Sequence, residues 1–163
     1  MTTVKTGYSA VAVRHNFETA HRIPALKGKC QNLHGHSWWA EIFIAGPAPS
    51  ADTDTLVEFG ALKAQLRSWI DIHLDHGAML SSRDPLAAVL AEHSCKIFRF
   101  GAPDPTSGED FASDLHYPTV EAVAQLLARV AIDILKQLDC ADGAYVSKVS
   151  VSETCVNTAE WIG

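Results

Sequence analysis

The hydrophobic period of this chain switches from two to about 3.6 and back to two, and that switch limits what it can fold into. Tyr8–Phe17 (Y-S-A-V-A-V-R-H-N-F) and Ser37–Ala45 (S-W-W-A-E-I-F-I-A) are rich in β-branched and aromatic residues and predict strands. Gly46-Pro47-Ala48-Pro49-Ser50 ends the second run, because neither a helix nor a central strand tolerates that punctuation. From Phe59 to about His73, Leu62, Leu66, Trp69 and Ile70 recur three or four apart, which predicts an amphipathic helix. Thr119–Leu138 predicts a second helix, opened by Pro118-Thr119 with Glu121 in its first turn and striped by Val123, Leu126, Leu127, Val130, Ile134 and Leu138. Ala144–Ser152 and Thr158–Ile162 return to β-type composition. The order is β-β-α-α-β-β, an α+β pattern of hairpins rather than alternating βαβ units.

Ser81 to His116 fits this pattern least well. Asp84-Pro85-Leu86 to about His93 reads as a short helix, Lys96–Phe100 as a brief strand, and Gly101–Asp114 as a polar loop. At 163 residues the chain is expected to form a single domain, 1–163, with an atypical insertion at about 81–116. No glycine-rich phosphate loop is present, which removes support for ATP or dinucleotide chemistry. A net charge of −6 argues against a general nucleic-acid binder. No apolar run approaches the ~20 residues needed to cross a bilayer, and the first residues lack the basic start and apolar core of a signal peptide. The four cysteines (30, 95, 140 and 155) form no C-x-x-C pair and read as reduced thiols, most of them structural. A cytoplasmic protein with no membrane or nucleic-acid partner is expected.

Chemistry concentrates at C-Q-N-L-H-G-H, Cys30 to His36. Two histidines two apart on an extended segment point to one face, and Gly35 between them adds no bulk. A polar turn explains such a pair by itself. His21, closing F-E-T-A-H, supplies a third imidazole if the two strands pair as a hairpin, and three protein ligands leave a zinc position open for substrate. His15, His73, His93 and His116 lack such company and read as structural or surface residues. Cys30 is open to three readings: a small apolar side chain, a fourth and closing zinc ligand, or a nucleophile or base activated by its surroundings. Asp75-His76 is the dipeptide in which a carboxylate holds an imidazole in one tautomer, provided a turn brings the two together. Glu153, at the end of V-S-V-S-E-T, reads as solvated unless it lines a pocket. There a carboxylate accepts two parallel hydrogen bonds from the amino-pyrimidinone edge of a pterin or guanine.

Taken in order, F-E-T-A-H, C-Q-N-L-H-G-H, L-V-E-F-G-x-L-K, L-D-H, Y-P-T-V-E and V-S-E-T resemble the family of 6-pyruvoyltetrahydropterin and 6-carboxytetrahydropterin synthases. The resemblance spans nearly the whole chain apart from Ser81 to Asp114. It implies the tunnelling fold or T-fold, a four-stranded antiparallel sheet with two helices between strands 2 and 3. It also implies a homo-oligomeric ring, trimer or hexamer, with active sites at subunit interfaces. By the same resemblance His21, His34 and His36 hold Zn2+ against the side-chain hydroxyls of 7,8-dihydroneopterin triphosphate, Cys30 is the base, Asp75 and His76 form a relay beside it, and Glu153 anchors the pterin ring. The three residues between Cys30 and His34 are similar to the bacterial 6-carboxytetrahydropterin synthases of queuosine and deazapurine biosynthesis. The animal pyruvoyl enzymes carry a longer gap, and a folate-type variant has glutamate in place of the cysteine. The alternatives within this reading are a 6-pyruvoyltetrahydropterin synthase, a pterin- or purine-binding protein without catalysis, and a structural zinc protein. The chain departs from the family pattern at Glu58 before F-G, Ala122 after P-T-V-E, G-A-M-L after L-D-H and the bulky Trp38-Trp39.

Overall fold

The computed structural model describes residues 7–47, 49–102 and 107–163. Parts of three sequence features therefore lie outside the described residues: the N-terminal start, Ala48 of the proline-rich break, and 103–106 of the polar loop.

Strand β1, Ser9–His21, pairs antiparallel with β2, His34–Gly46, along the whole of both, from Ser9 opposite Gly46 to His21 opposite His34. Both strands run further than composition suggested, because the in-out alternation continues unbroken through F-E-T-A-H and H-G-H. Val13, Phe17, Thr19 and His21 of β1 and Trp38, Ala40, Ile42 and Ile44 of β2 are buried on one face. The other face is polar, and its large rings are shielded by cations. The Arg14 guanidinium lies 4.8 Å from the Trp39 ring, and Lys148 Nζ lies 4.3 Å from the Phe43 ring. β5, Tyr145–Ser152, adds to β2, and β6, Thr158–Ile162, adds to β5, both antiparallel.

Two helices cover the buried face, and each begins at a capping side chain. Both Glu58 carboxylate oxygens accept hydrogen bonds, from Gly60 N at 2.7 Å and Ala61 N at 2.6 Å, opening α1, Phe59–His73. Glutamate thus does at this helix what a shorter aspartate does at other N-caps. Thr119 Oγ1 accepts from Ala122 N at 3.1 Å and opens a long C-terminal helix, α3, Val120–Gln137. Leu62, Leu66 and Ile70 of α1 and Val123, Leu126, Leu127, Val130 and Ile134 of α3 are buried, as their spacing requires. α1 packs on β1, and α3 packs on β5 and β6.

The sheet has six strands rather than four, in the order β4-β3-β1-β2-β5-β6. The added strands are β3, Gly77–Ser81, and β4, Ile97–Phe100, joined by a short helix α2, Pro85–Glu92. β3 runs parallel to both β1 and β4, so a βαβ unit is built into a fold that sequence had cast as hairpins alone. The short run G-A-M-L-S is a strand buried on both faces, with Met79 and Leu80 fully inaccessible; such strands carry no alternation to read. The insertion is stitched down by charge. Arg22 donates to both Asp84 oxygens, at 2.6 and 2.7 Å, while Asp84 also accepts from Leu86 N and caps α2. Arg99 pairs with the buried Glu109, and Arg129 with Asp114. No described helix is long and apolar enough to cross a membrane. All four cysteines are free. Three are exposed, so they do not pack as the structural apolar side chains expected of them.

Two outcomes follow for stability. Phe100→Ala should cost about 3–5 kcal/mol in denaturant unfolding, since Phe100 is fully buried in the joint core; a loss below about 1 kcal/mol would make β4 a dispensable appendage. The Arg22 guanidinium holds the Asp84 carboxyl below the usual carboxylate range. Its stabilisation is therefore complete above about pH 4, the ordinary Asp value, and is lost as pH falls through the lower folded value. Asp84→Asn should destabilise the protein by about 2 kcal/mol at pH 7 and leave a shallower acid limb in the stability profile.

Candidate metal centre and active site

The register of β1 on β2 assembles three imidazoles. His21 stands opposite His34, and His36 stands opposite Thr19, so all three side chains share the helix-covered face. Their ring centroids are 4.6, 4.9 and 5.2 Å apart, and one nitrogen from each lies within 4.8 Å of the others. Trp38 forms the floor. It continues the alternation from His36, is fully buried, and meets the rings of His21 and His36 edge-on at 4.9 and 5.8 Å. Its indole N–H donates to Thr19 O at 3.0 Å, which locks the ring in place.

Backbone carbonyls orient two of the imidazoles. His21 Nδ1 donates to Pro118 O at 2.8 Å, and His34 Nδ1 donates to Asn32 O at 2.7 Å. A carbonyl oxygen only accepts, so both Nδ1 atoms carry their protons, and in the neutral rings both Nε2 atoms offer lone pairs, the tautomer that a metal-binding histidine needs. The Nε2 atoms of His21 and His36 are buried without a hydrogen-bond partner. Unsatisfied buried nitrogens are costly, and a cation between them is what such an arrangement fits. Burial pushes the His21 ring below the usual imidazole range. The Pro118 hydrogen bond and the Glu153 charge oppose that shift, while the neighbouring imidazoles add to it. His36 is lowered in the same way, chiefly by burial.

Glu153, just past β5, turns its carboxylate toward this cluster. Its Oε2 lies 3.7 Å from His21 Nε2 and 3.9 Å from His36 Nε2, and its Oε1 accepts from Asn157 Nδ2 at 3.2 Å. A cleft of about 560 Å³ opens here, with His21, Cys30, Thr119, Glu121, Glu153 and Asn157 on its walls. Cys30 reaches it from a single 3-10 turn, Lys29–Gln31, and is exposed to solvent. Cys30 O accepts from Ile23 N at 2.7 Å, and Gly28 turns the chain at φ +107°, a conformation that suits glycine and strains other residues.

Asp75 and His76 meet each other but not Cys30. His76 Nδ1 and Asp75 Oδ2 are 2.6 Å apart, because His76 takes a positive φ of 55° that folds its ring back on the preceding carboxylate. Asp75 Oδ1 accepts from Glu18 N at 2.8 Å, and His76 N donates to Glu18 O. Burial raises the Asp75 carboxyl, but the Glu18 N–H, His76 and Lys96 outweigh it and hold the group below its usual value. The pair sits beside Glu18, which faces solvent on β1, with the His76 side chain 78% exposed, and neither residue lines the Cys30 cleft.

Sequence reading missed the carbonyls of Pro118 and Asn32, since backbone acceptors leave no residue-type signal. It also missed Trp38, although strand alternation from His36 was the available clue.

A sequence profile described as 6-pyruvoyl tetrahydropterin synthase matches residues 10–162. The 6-carboxy-5,6,7,8-tetrahydropterin synthase of Synechocystis is 38% identical over 64 residues, which is 37% of this chain and 50% of that protein. The match to a Rickettsia typhi protein of the same name is 40% identical over 74 residues, 44% of this chain and 51% of that one. Against these relatives the chain thus spans about half their length. The corresponding Rickettsia felis protein is 29% identical over 144 residues, 86% of this chain and 91% of that one. Solved structures share the fold. An uncharacterized Wolinella succinogenes protein superposes with a TM-score of 0.70 at 18% identity, covering 96% of this chain and 98% of that one. The 6-pyruvoyl tetrahydropterin synthase of Caenorhabditis elegans gives 0.66 at 17% identity, covering 99% of each chain. The profile match runs through both histidine strands, both long helices and the closing hairpin, and the chain belongs to the 6-pyruvoyl tetrahydropterin synthase family.

Proposed function

We propose that this protein is a 6-carboxy-5,6,7,8-tetrahydropterin synthase, a lyase that takes 7,8-dihydroneopterin triphosphate and water to 6-carboxytetrahydropterin, acetaldehyde and triphosphate. Its place is the cytoplasmic supply of precursor for queuosine and related 7-deazapurines. The observation that carries the reading is the cluster of three imidazoles with one nitrogen of each within 4.8 Å of the others, of which His21 lines a cleft together with Cys30 and Glu153. Proteins of this name are relatives of the chain, the Rickettsia felis one over most of both lengths.

Bound at His21, His34 and His36, zinc supplies Lewis acidity that favours ionisation of the substrate's side-chain hydroxyls. The chain's own groups do the rest. Cys30 as thiolate accepts a proton from side-chain carbon and returns it elsewhere on the substrate. Asp75 holds His76 in one tautomer so that its free nitrogen exchanges the proton with that thiol. Glu153 accepts the paired N–H groups of the pterin's amino-pyrimidinone edge.

Within one chain the Asp75–His76 pair lies outside the Cys30 cleft, so the relay is completed by a neighbouring copy in a ring, trimeric or hexameric. Sheet edges support this assembly. Among the described residues β1 pairs with β3 only through Thr19–His21, which leaves Ser9–Glu18 unpaired on that side, and β6 ends the sheet at its other edge. Open edges of this length seek partners.

Three outcomes test the reading. Incubation with dihydroneopterin triphosphate should release acetaldehyde and triphosphate together, detected by mass spectrometry; a pyruvoyl product without acetaldehyde assigns the chain to triphosphate elimination alone. Cys30→Ala should lower kcat by about 10²-fold or more with metal content intact, whereas unchanged turnover removes the thiol from the chemistry. Stripping metal with a chelator should abolish turnover while the far-ultraviolet circular dichroism persists; unfolding on chelation would mark a structural zinc protein instead.

A further inference from the structure

Glu153 occupies a position that pterin anchoring does not explain. A carboxylate meant for the far edge of a substrate ring has no reason to face the metal-binding nitrogens, yet its Oε2 stands 3.7 and 3.9 Å from the Nε2 atoms of His21 and His36. Neither separation is a hydrogen bond. On His21 the Nδ1 proton is committed to Pro118 O, so the neutral ring brings a lone pair, not a proton, to face the carboxylate. At His21 a lone pair of the neutral ring therefore faces the carboxylate with no hydrogen between them. His21 is 1% exposed and the Glu153 side chain 17%, so water does little to relieve the repulsion. Such a cluster is complementary to a cation. Two donors each about 2.0–2.2 Å from one ion stand at most about 4.4 Å apart, and the Glu153 distances to His21 and His36 fall inside that limit.

Resting on the metal reading above, we infer that Glu153 is a displaceable fourth donor to the ion held by His21, His34 and His36. In the substrate-free protein its Oε2 completes the set and closes the site, as four protein ligands do at structural zinc. When substrate enters, Glu153 would turn from the His21 and His36 nitrogens to the ring N–H groups that substrate brings, freeing that position for substrate oxygens. Asn157 suits this exchange. Its Nδ2 holds Oε1 at 3.2 Å, and its backbone carbonyl accepts from Glu153 N at 3.2 Å, so the loop after β5 keeps the carboxylate at the cleft while Oε2 moves. The exchange retains metal between turnovers without blocking the position the reaction needs.

The test measures Co2+ and Zn2+ affinity of the purified full-length protein by competition with a chromophoric chelator, together with the visible absorption of the Co2+ form. Glu153→Gln should bind either ion about tenfold more weakly or worse, with an altered Co2+ spectrum. Glu153→Asp keeps the charge but withdraws the oxygen by one methylene, and should lose affinity as well. In the Cys30→Ala protein, saturation with dihydroneopterin triphosphate should shift the Co2+ spectrum as the carboxylate departs. Parent-like affinity and spectrum in Glu153→Gln, with binding still lost in His21→Ala, would overturn the inference and leave the three-histidine reading standing. Weakened binding in Glu153→Gln with full affinity in Glu153→Asp would also overturn it, since charge rather than a donor would then be at work. Parent-like binding in His21→Ala would instead bring down the metal reading itself. Thermal melting of each variant separates these results from misfolding.

Discussion

The pairing that sets His21 opposite His34 is the constraint on which the rest of this structure depends. Side chains on a strand alternate, so a slip of one residue between β1 and β2 would send His34 and His36 to the solvent face and Trp38 out of the core. The core prevents that slip. Trp38, Ile42 and Ile44 of β2 are fully buried under the helices, and all three would be lost to water together. The hydrophobic register that folds the hairpin is thus also the register that builds the candidate metal centre, and Trp38 belongs to both.

Most of the frame was legible because its signals are periodic. The stripes Leu62-Leu66-Ile70 and Val123-Leu126-Leu127-Val130-Ile134 fall where helices have buried faces, and the four β-rich runs are strands. β3 was not legible. Its five residues, G-A-M-L-S, are flanked by a turn and covered on both faces, so they show neither alternation nor length. The helix and brief strand that follow were visible one by one. Their union with β3 into a parallel extension of the sheet depends on tertiary partners, such as the Arg22–Asp84 pair, that residue types alone do not name.

At the site, legibility divides along the same line. Residue types and spacing point to His21, His34, His36 and Cys30. What makes the first two usable as ligands is the pair of backbone carbonyls, from Pro118 and Asn32, that sets their tautomers. Pro118 owes its position to the start of α3, so the long helix that fills the core also aims a candidate ligand ring. The separation of Asp75 and His76 from the Cys30 cleft carries a different lesson. The motif L-D-H folds locally into a tight carboxylate–imidazole pair, but a single chain does not deliver that pair to the thiol, and the proposed reaction then requires a second chain.

In the proposed function three imidazoles, set by strand register and two of them also by carbonyl contacts, hold one divalent ion beside a thiol. Crystals grown with zinc and measured on both sides of its absorption edge test it most directly. One anomalous peak is expected within about 2.1 Å of the Nε2 atoms of His21, His34 and His36. A peak elsewhere, or none with these nitrogens turned apart, would contradict it.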